Sequence, residues 1–205
     1  MFLFCLAGIK KHLYSGRHNS FYFSLYCVLA FHSRINEVSF INSPNSGMIS
    51  THTIVQAVNA INAMSSKQKE ALLDEIHEHQ PTMLGDVVTL ARLGVSRQVH
   101  GHVFHMLLVF YNCFSDNGKI KLPVITEAVI VAARNKNMKM MEFLSGGSED
   151  QMVHDTKLFI DGYPERNLLA YFTGYFRDNG LAFPSDENNE AALTTMTMLD
   201  VFCGL

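Results

Sequence analysis

From Met48 to the C-terminus, apolar residues recur at spacings of three and four, and no stretch alternates at period two for long enough to form a strand. That periodicity restricts residues 48–205 to helices, and the residues between the periodic runs mark where each helix starts and stops. Ser50 or Thr51 caps a first helix carrying Ile54, Val58, Ile61 and Met64 on one face. Ser65 with Gln68 has the spacing of a capping box, and the second helix it opens, with Leu72, Leu73 and Ile76, ends at Pro81. Thr82 opens a third helix through Val87, Leu90 and Ala91 to a left-handed stop at Gly94. Ser96 caps a fourth, whose Val99, Val103, Leu107, Phe110 and Phe114 are widened by Phe104, Leu108 and Tyr111, so other helices should nearly surround it.

Asp116-Asn117-Gly118 ends that helix, and Pro123 is suited to the first turn of a fifth, marked by Ile125, Ala128, Val129 and Ala132 and fading at Asn135 to Asn137. A short sixth helix follows over Met138–Leu144, and a seventh begins at Ser148 with Gln151. Pro164 starts an eighth, with Leu168, Leu169, Phe172, Tyr175 and Phe176; Ser185, with Asp186 and Glu187 in the first turn, opens the ninth. The expected fold is an all-α, compact bundle of about nine helices forming a single domain over residues 48–205. An internal echo suggests two pseudo-repeated three-helix units. Phe114-Ser-Asp-Asn-Gly118 before Pro123 matches Phe176-Arg-Asp-Asn-Gly180 before Pro184, and the corner at Gly94 matches the one at Gly162. A calcium loop is excluded, because with Gly118 at its sixth position the first, third and twelfth become Cys113, Ser115 and Val124.

Residues 1–47 differ from the rest: nine aromatics fall there with no helical or strand period. The apolar run Phe21–Phe31 follows Lys10, Lys11 and Arg17, as in a secretory signal, but Ala30-Phe31-His32 makes a poor cleavage site. Its 11 residues also fall short of the about 20 that a membrane span needs. The expectation adopted is a non-domain segment, with Met48 as the true first residue; a signal or membrane anchor and an ordered extension are the alternatives, and a native species whose intact mass begins at Met1 would overturn it. The segment holds four Lys/Arg and one acid, which leaves 12 basic and 18 acidic residues, a net charge of −6, from Met48 onward. An acidic folded body disfavours nucleic acid as a partner. Cys5, Cys27, Cys113 and Cys203 show no CxxC spacing, which fits free thiols in a cytoplasmic, reducing setting.

Three signals bear on function. In Leu90-Ala-Arg-Leu-Gly-Val-Ser-Arg-Gln-Val99, Ala91, Gly94, Val95 and Val99 fall in packing positions, and Arg97, Gln98, His100 and His102 would face bases. The stretch resembles a helix-turn-helix, although Ala91 precedes Gly94 by three residues where four is usual. Secondly, His77 and His79, beside Asp74, Glu75 and Glu78, end one helix while His100, His102 and His105 begin another, so two facing helices could assemble a metal site.

Thirdly, His154-Asp155, with His102 or His105 before it and Asp200 after it, resembles the His, His-Asp, Asp order of helical metal-dependent phosphohydrolases. That resemblance implies a divalent metal activating water for attack on a phosphate ester. Lys157 follows His154-Asp155 after one residue where that superfamily usually has two, and the acids and histidines expected around Asp161-Gly-Tyr-Pro164 are missing. There is no phosphate-cradling glycine loop, and neither Cys113 nor Cys203 has an adjacent basic residue to activate it. Eleven methionines, many aromatics and sparse charge favour adaptable helix faces over catalysis. The expected function is therefore a non-enzymatic binding or regulatory module without a cofactor, acting on a protein partner or forming a homo-oligomer; the DNA-binding and phosphohydrolase readings are the alternatives.

Overall fold

The structure, a computed structural model, describes residues 48–204 apart from 117, 146 and 184. The expectations for residues 1–47 lie outside the described residues. Eight α-helices and no strand occur among the described residues. They are α1 (Thr51–Ala63), α2 (Ser66–His79), α3 (Pro81–Thr89), α4 (Arg97–Phe114), α5 (Glu127–Ser145), α6 (Glu149–Asp161), α7 (Arg166–Asp178) and α8 (Asp186–Cys203).

The serines anticipated as caps make those bonds. Ser50, Ser96, Ser148 and Ser185 each accept the backbone N–H three residues ahead, which satisfies a donor that has no partner within its own helix. Ser65 does the same for Gln68, whose side chain returns a bond to the Ser65 N–H at 2.8 Å, completing the capping box.

The centre of the molecule is α8, buried without a break from Ala191 to Leu199 and packed on α5, α4, α7 and α3. Alongside it, α4 is buried continuously from Met106 to Cys113 and carries α1, α2 and α3 on its other sides. In turn, α6 bridges α5 and α7. The fully buried Phe110, Phe172, Phe176 and Phe202 come from α4, α7 and α8, and each contributes about 2–3 kcal/mol through the apolar area it removes from water.

Three expectations change. The break expected at Asn135–Asn137 is absent, and the fifth and sixth helices are one, α5. Asn137 is buried on the same inward stripe as Ile130, Met141 and Leu144, and burial of that stripe outweighs the few tenths of a kcal/mol by which Asn disfavours helix. Pro123 does not open this helix. The buried Gln80 donates through Nε2 to the Pro123 carbonyl at 2.7 Å and accepts from Ile125 N at 2.9 Å, holding residues 123–125 ahead of the helix, which begins at Glu127. Pro81 occupies the first turn of α3, where its missing N–H costs nothing.

The internal echo holds at one of its points. Gly118 (φ 81°) and Gly180 (φ 75°) are both left-handed stops. The corners differ, however: Gly94 has φ 82°, whereas Gly162 has φ −89°. Each stop is closed by a backbone bond five residues back, Leu181 N to the Phe176 carbonyl and Ile120 N to the Ser115 carbonyl, both 2.8 Å, but the second is shifted by one residue relative to its glycine, and there Gly118 N also bonds the Ser115 hydroxyl at 3.0 Å beside a left-handed Asp116 (φ 47°).

Candidate functional site

The corner between α3 and α4 buries Val95 and Val99, as a helix-turn-helix would, but Ala91 is exposed rather than packed between helices. Of the four residues expected to face bases, Arg97 and Gln98 are exposed. The other two turn inward: His100 Nε2 lies 2.8 Å from the Val87 carbonyl, and His102 Nδ1 lies 2.8 Å from the Tyr175 hydroxyl. At the N-terminus of α4, where a phosphate would bind, the Glu187 carboxylate accepts from Ser96 N at 2.9 Å. That backbone bond holds the Glu187 carboxyl below its ordinary range, so the position carries a fixed negative charge.

The histidines of α4 close the seam with α7. His105 Nε2 lies 3.0 Å from the Tyr171 hydroxyl, and its ring stacks on Tyr175 at 4.9 Å and 14°. Burial pushes His105 down to about 4, assisted by the positive charge of Lys69 and by His102, and burial lowers His102 as well. Both imidazoles are therefore neutral at pH 7, and the phenols opposite them are pushed up by burial. On the α2 side, Glu75 accepts from the Tyr111 hydroxyl at 2.9 Å.

The remaining metal-ligand candidates lie elsewhere. His154 is exposed on α6 and Asp155 is half-buried. Asp200, near the end of α8, accepts from the Tyr163 hydroxyl at 2.6 Å and pairs with Lys136 Nζ at 3.1 Å. Among the described residues, no three His, Cys, Asp or Glu side chains converge as a metal site, so His102, His105, His154, Asp155 and Asp200 are not gathered into one cluster. Burial pushes the Cys113 and Cys203 thiols up to about 12, so neither is a nucleophile near neutral pH.

A feature the sequence reading missed lies where α5 crosses the end of α8. Val124, Val129, Ala132 and Ala133 on one side and Val201 and Gly204 on the other line an open apolar groove of about 350 Å³, with the Lys136–Asp200 pair also lining it. Val124 is 64% exposed and Val129 46%. Elsewhere on α5, Arg134 reaches Glu190 of α8 at 2.6 Å and Asp86 of α3 at 3.6 Å, joining the three helices. Burial raises the Asp86 carboxyl and Glu190 raises it further, against the lowering effect of Arg134.

The signal for the groove was present in the spacing of Val129, Ala132, Ala133, Lys136, Met140 and Phe143, a second stripe on α5 beside the buried one of Ile130, Asn137, Met141 and Leu144. Treating Asn135–Asn137 as a break hid it. Comparison with known proteins adds no assignment: no family model, curated protein or solved structure matches the chain. Among the described residues, no helix is long and apolar enough to cross a membrane.

Proposed function

We propose that this protein is a non-enzymatic helical module that works by binding protein, with the α5–α8 groove as its docking surface. The observation that carries the reading is the set of large apolar side chains that α5 leaves in water among its charged Lys136, Lys139 and Glu142. Val124, Val129, Val131 and Phe143 are all exposed on or just before this one helix. Ion pairs from Lys136 and Arg134 tie α5 to α8 at and beside the groove.

Hydroxyl-radical footprinting of the full chain provides the test. Met140 and Phe143 should be oxidised less in native extract than in the purified, dilute protein, and equal labelling sinks the reading. A divalent metal retained through tag-free purification, together with hydrolysis of a generic phosphodiester, would favour the phosphohydrolase reading instead. Retardation of duplex DNA that weakens steeply with salt would favour the helix-turn-helix reading.

A further inference from the structure

The stripe on α5 has a shape that selects its occupant. Val129, Lys136 and Phe143 are seven residues apart in succession, with Ala132, Ala133 and Met140 between them, which is the spacing of a helix that packs along another helix. At one end the stripe forms the wall of the apolar groove, and at the other it carries Phe143, 66% exposed. Groove and knob therefore sit on the same face of the same helix, about 20 Å apart along its axis. A surface that holds both halves of a contact is matched by its own copy across a two-fold axis.

Resting on the reading of this protein as a binding module, we propose that the occupant of the groove is a second copy of the chain, joined through an antiparallel α5 pair. With the two-fold axis at Lys136, Phe143 of each copy lies opposite Val129 of the other and enters its groove, while Ala132 lies opposite Met140. The small Ala132 and Ala133 side chains let the two helices approach closely, and the groove volume of about 350 Å³ is large enough for a phenyl ring.

Charge agrees with this register. The body carries a net −6, which would push two copies apart, yet the central residue of the stripe is a lysine whose charge Asp200 balances at 3.1 Å. The two copies thus meet on a locally neutral patch of an acidic surface. The axis sets two lysines opposite each other at the centre of the seam, each neutralised by its own Asp200, and pairings that shift either one against hydrocarbon are penalised, which fixes orientation at some cost in affinity.

Sedimentation velocity of the full chain over a concentration series tests the proposal, and a monomer–dimer equilibrium is expected. Phe143→Asp and Ala132→Arg should each raise the dimer Kd by about 30-fold or more, as truncation or charging of a central contact does. Leu158→Asp, at an exposed apolar site on α6, should leave it unchanged. The register is read by mixing Val129→Cys chains with Phe143→Cys chains: a disulfide should join the two species, and Phe143→Cys alone should not join to itself. A chain that stays monomeric at every concentration overturns the proposal, as does a dimer indifferent to Phe143→Asp. If the monomeric chain still shows footprint protection at Met140 and Phe143 in extract, only the second copy is refuted and a different partner occupies the groove. Absence of both dimer and protection removes the binding-module reading as well.

Discussion

Two long helices, α8 and α5, lie against each other and solve opposite problems. Between Glu190 and Asp200, α8 has no charged residue, and every position from Ala191 to Leu199 is buried. Its sequence shows little periodicity because all of its sides face protein. By contrast, α5 mixes Arg134, Lys136, Lys139 and Glu142 with two apolar stripes, of which the bundle covers one. A surrounded helix needs apolar residues without a pattern, whereas a helix with two patterns has one more than a single chain of this fold uses.

Substitutions on the two helices should separate them. Leu199→Ala on α8 leaves a cavity in a fully buried layer and should destabilise the dilute chain by about 3 kcal/mol, read as a lowered urea midpoint at unchanged slope. Phe143→Ala on α5 should shift that midpoint by no more than about 0.5 kcal/mol, because its ring is already in water when the chain is alone. A loss as large as that of Leu199→Ala would erase the distinction drawn between the two helices.

The α4–α7 seam gives an intermediate, pH-dependent case. His105 is neutral in the folded state with its pKa lowered to about 4, below the value near 6.5 of the unfolded chain. Its contribution is complete above about pH 6.5 and is lost as the pH falls towards 4, because the unfolded state takes up the proton first. Thermal melts should show an acid loss of about 2 kcal/mol across this window that His105→Gln largely removes. Retention of the full slope in that variant would place the acid sensitivity elsewhere.

Smaller effects test the ties between helices. Arg134→Ala leaves the half-buried Asp86 beside Glu190 without its cation and should cost about 1–2 kcal/mol, discounted for the partial exposure of the group. Asp86→Asn in the same background should recover part of that loss. Ser96→Ala removes the cap of α4 and should cost about 1 kcal/mol by chemical denaturation.

The helical class, the serine caps and the buried stripe of α4 were legible because each depends on neighbours in sequence. Asn137 was misread because its helical state depends on burial against residues far along the chain. Pro123 was misread because Gln80, 43 residues earlier, holds its carbonyl. The histidines were legible as a cluster but not as a seam, since Tyr171 and Tyr175 meet them only after folding. Identical Asp-Asn-Gly letters gave left-handed glycines twice and the same turn neither time, because Ser115 supplies a hydroxyl where Arg177 has none.

The threonines of α8 have a mechanical consequence. Thr195 and Thr197 turn their hydroxyls onto the carbonyls of Ala191 and Leu193 in their own helix, at 2.8 and 2.7 Å. Those two hydroxyls are thus spent within the helix, and the tie from its middle to a neighbour is Thr194, which accepts from Arg134 of α5 at 3.4 Å. The helix is keyed by Glu187 on Ser96 N, by Glu190 on Arg134, and by Asp200 on Tyr163 and Lys136. One of those keys, Asp200, lines the groove, so whatever seats there bears directly on the alignment of the whole bundle.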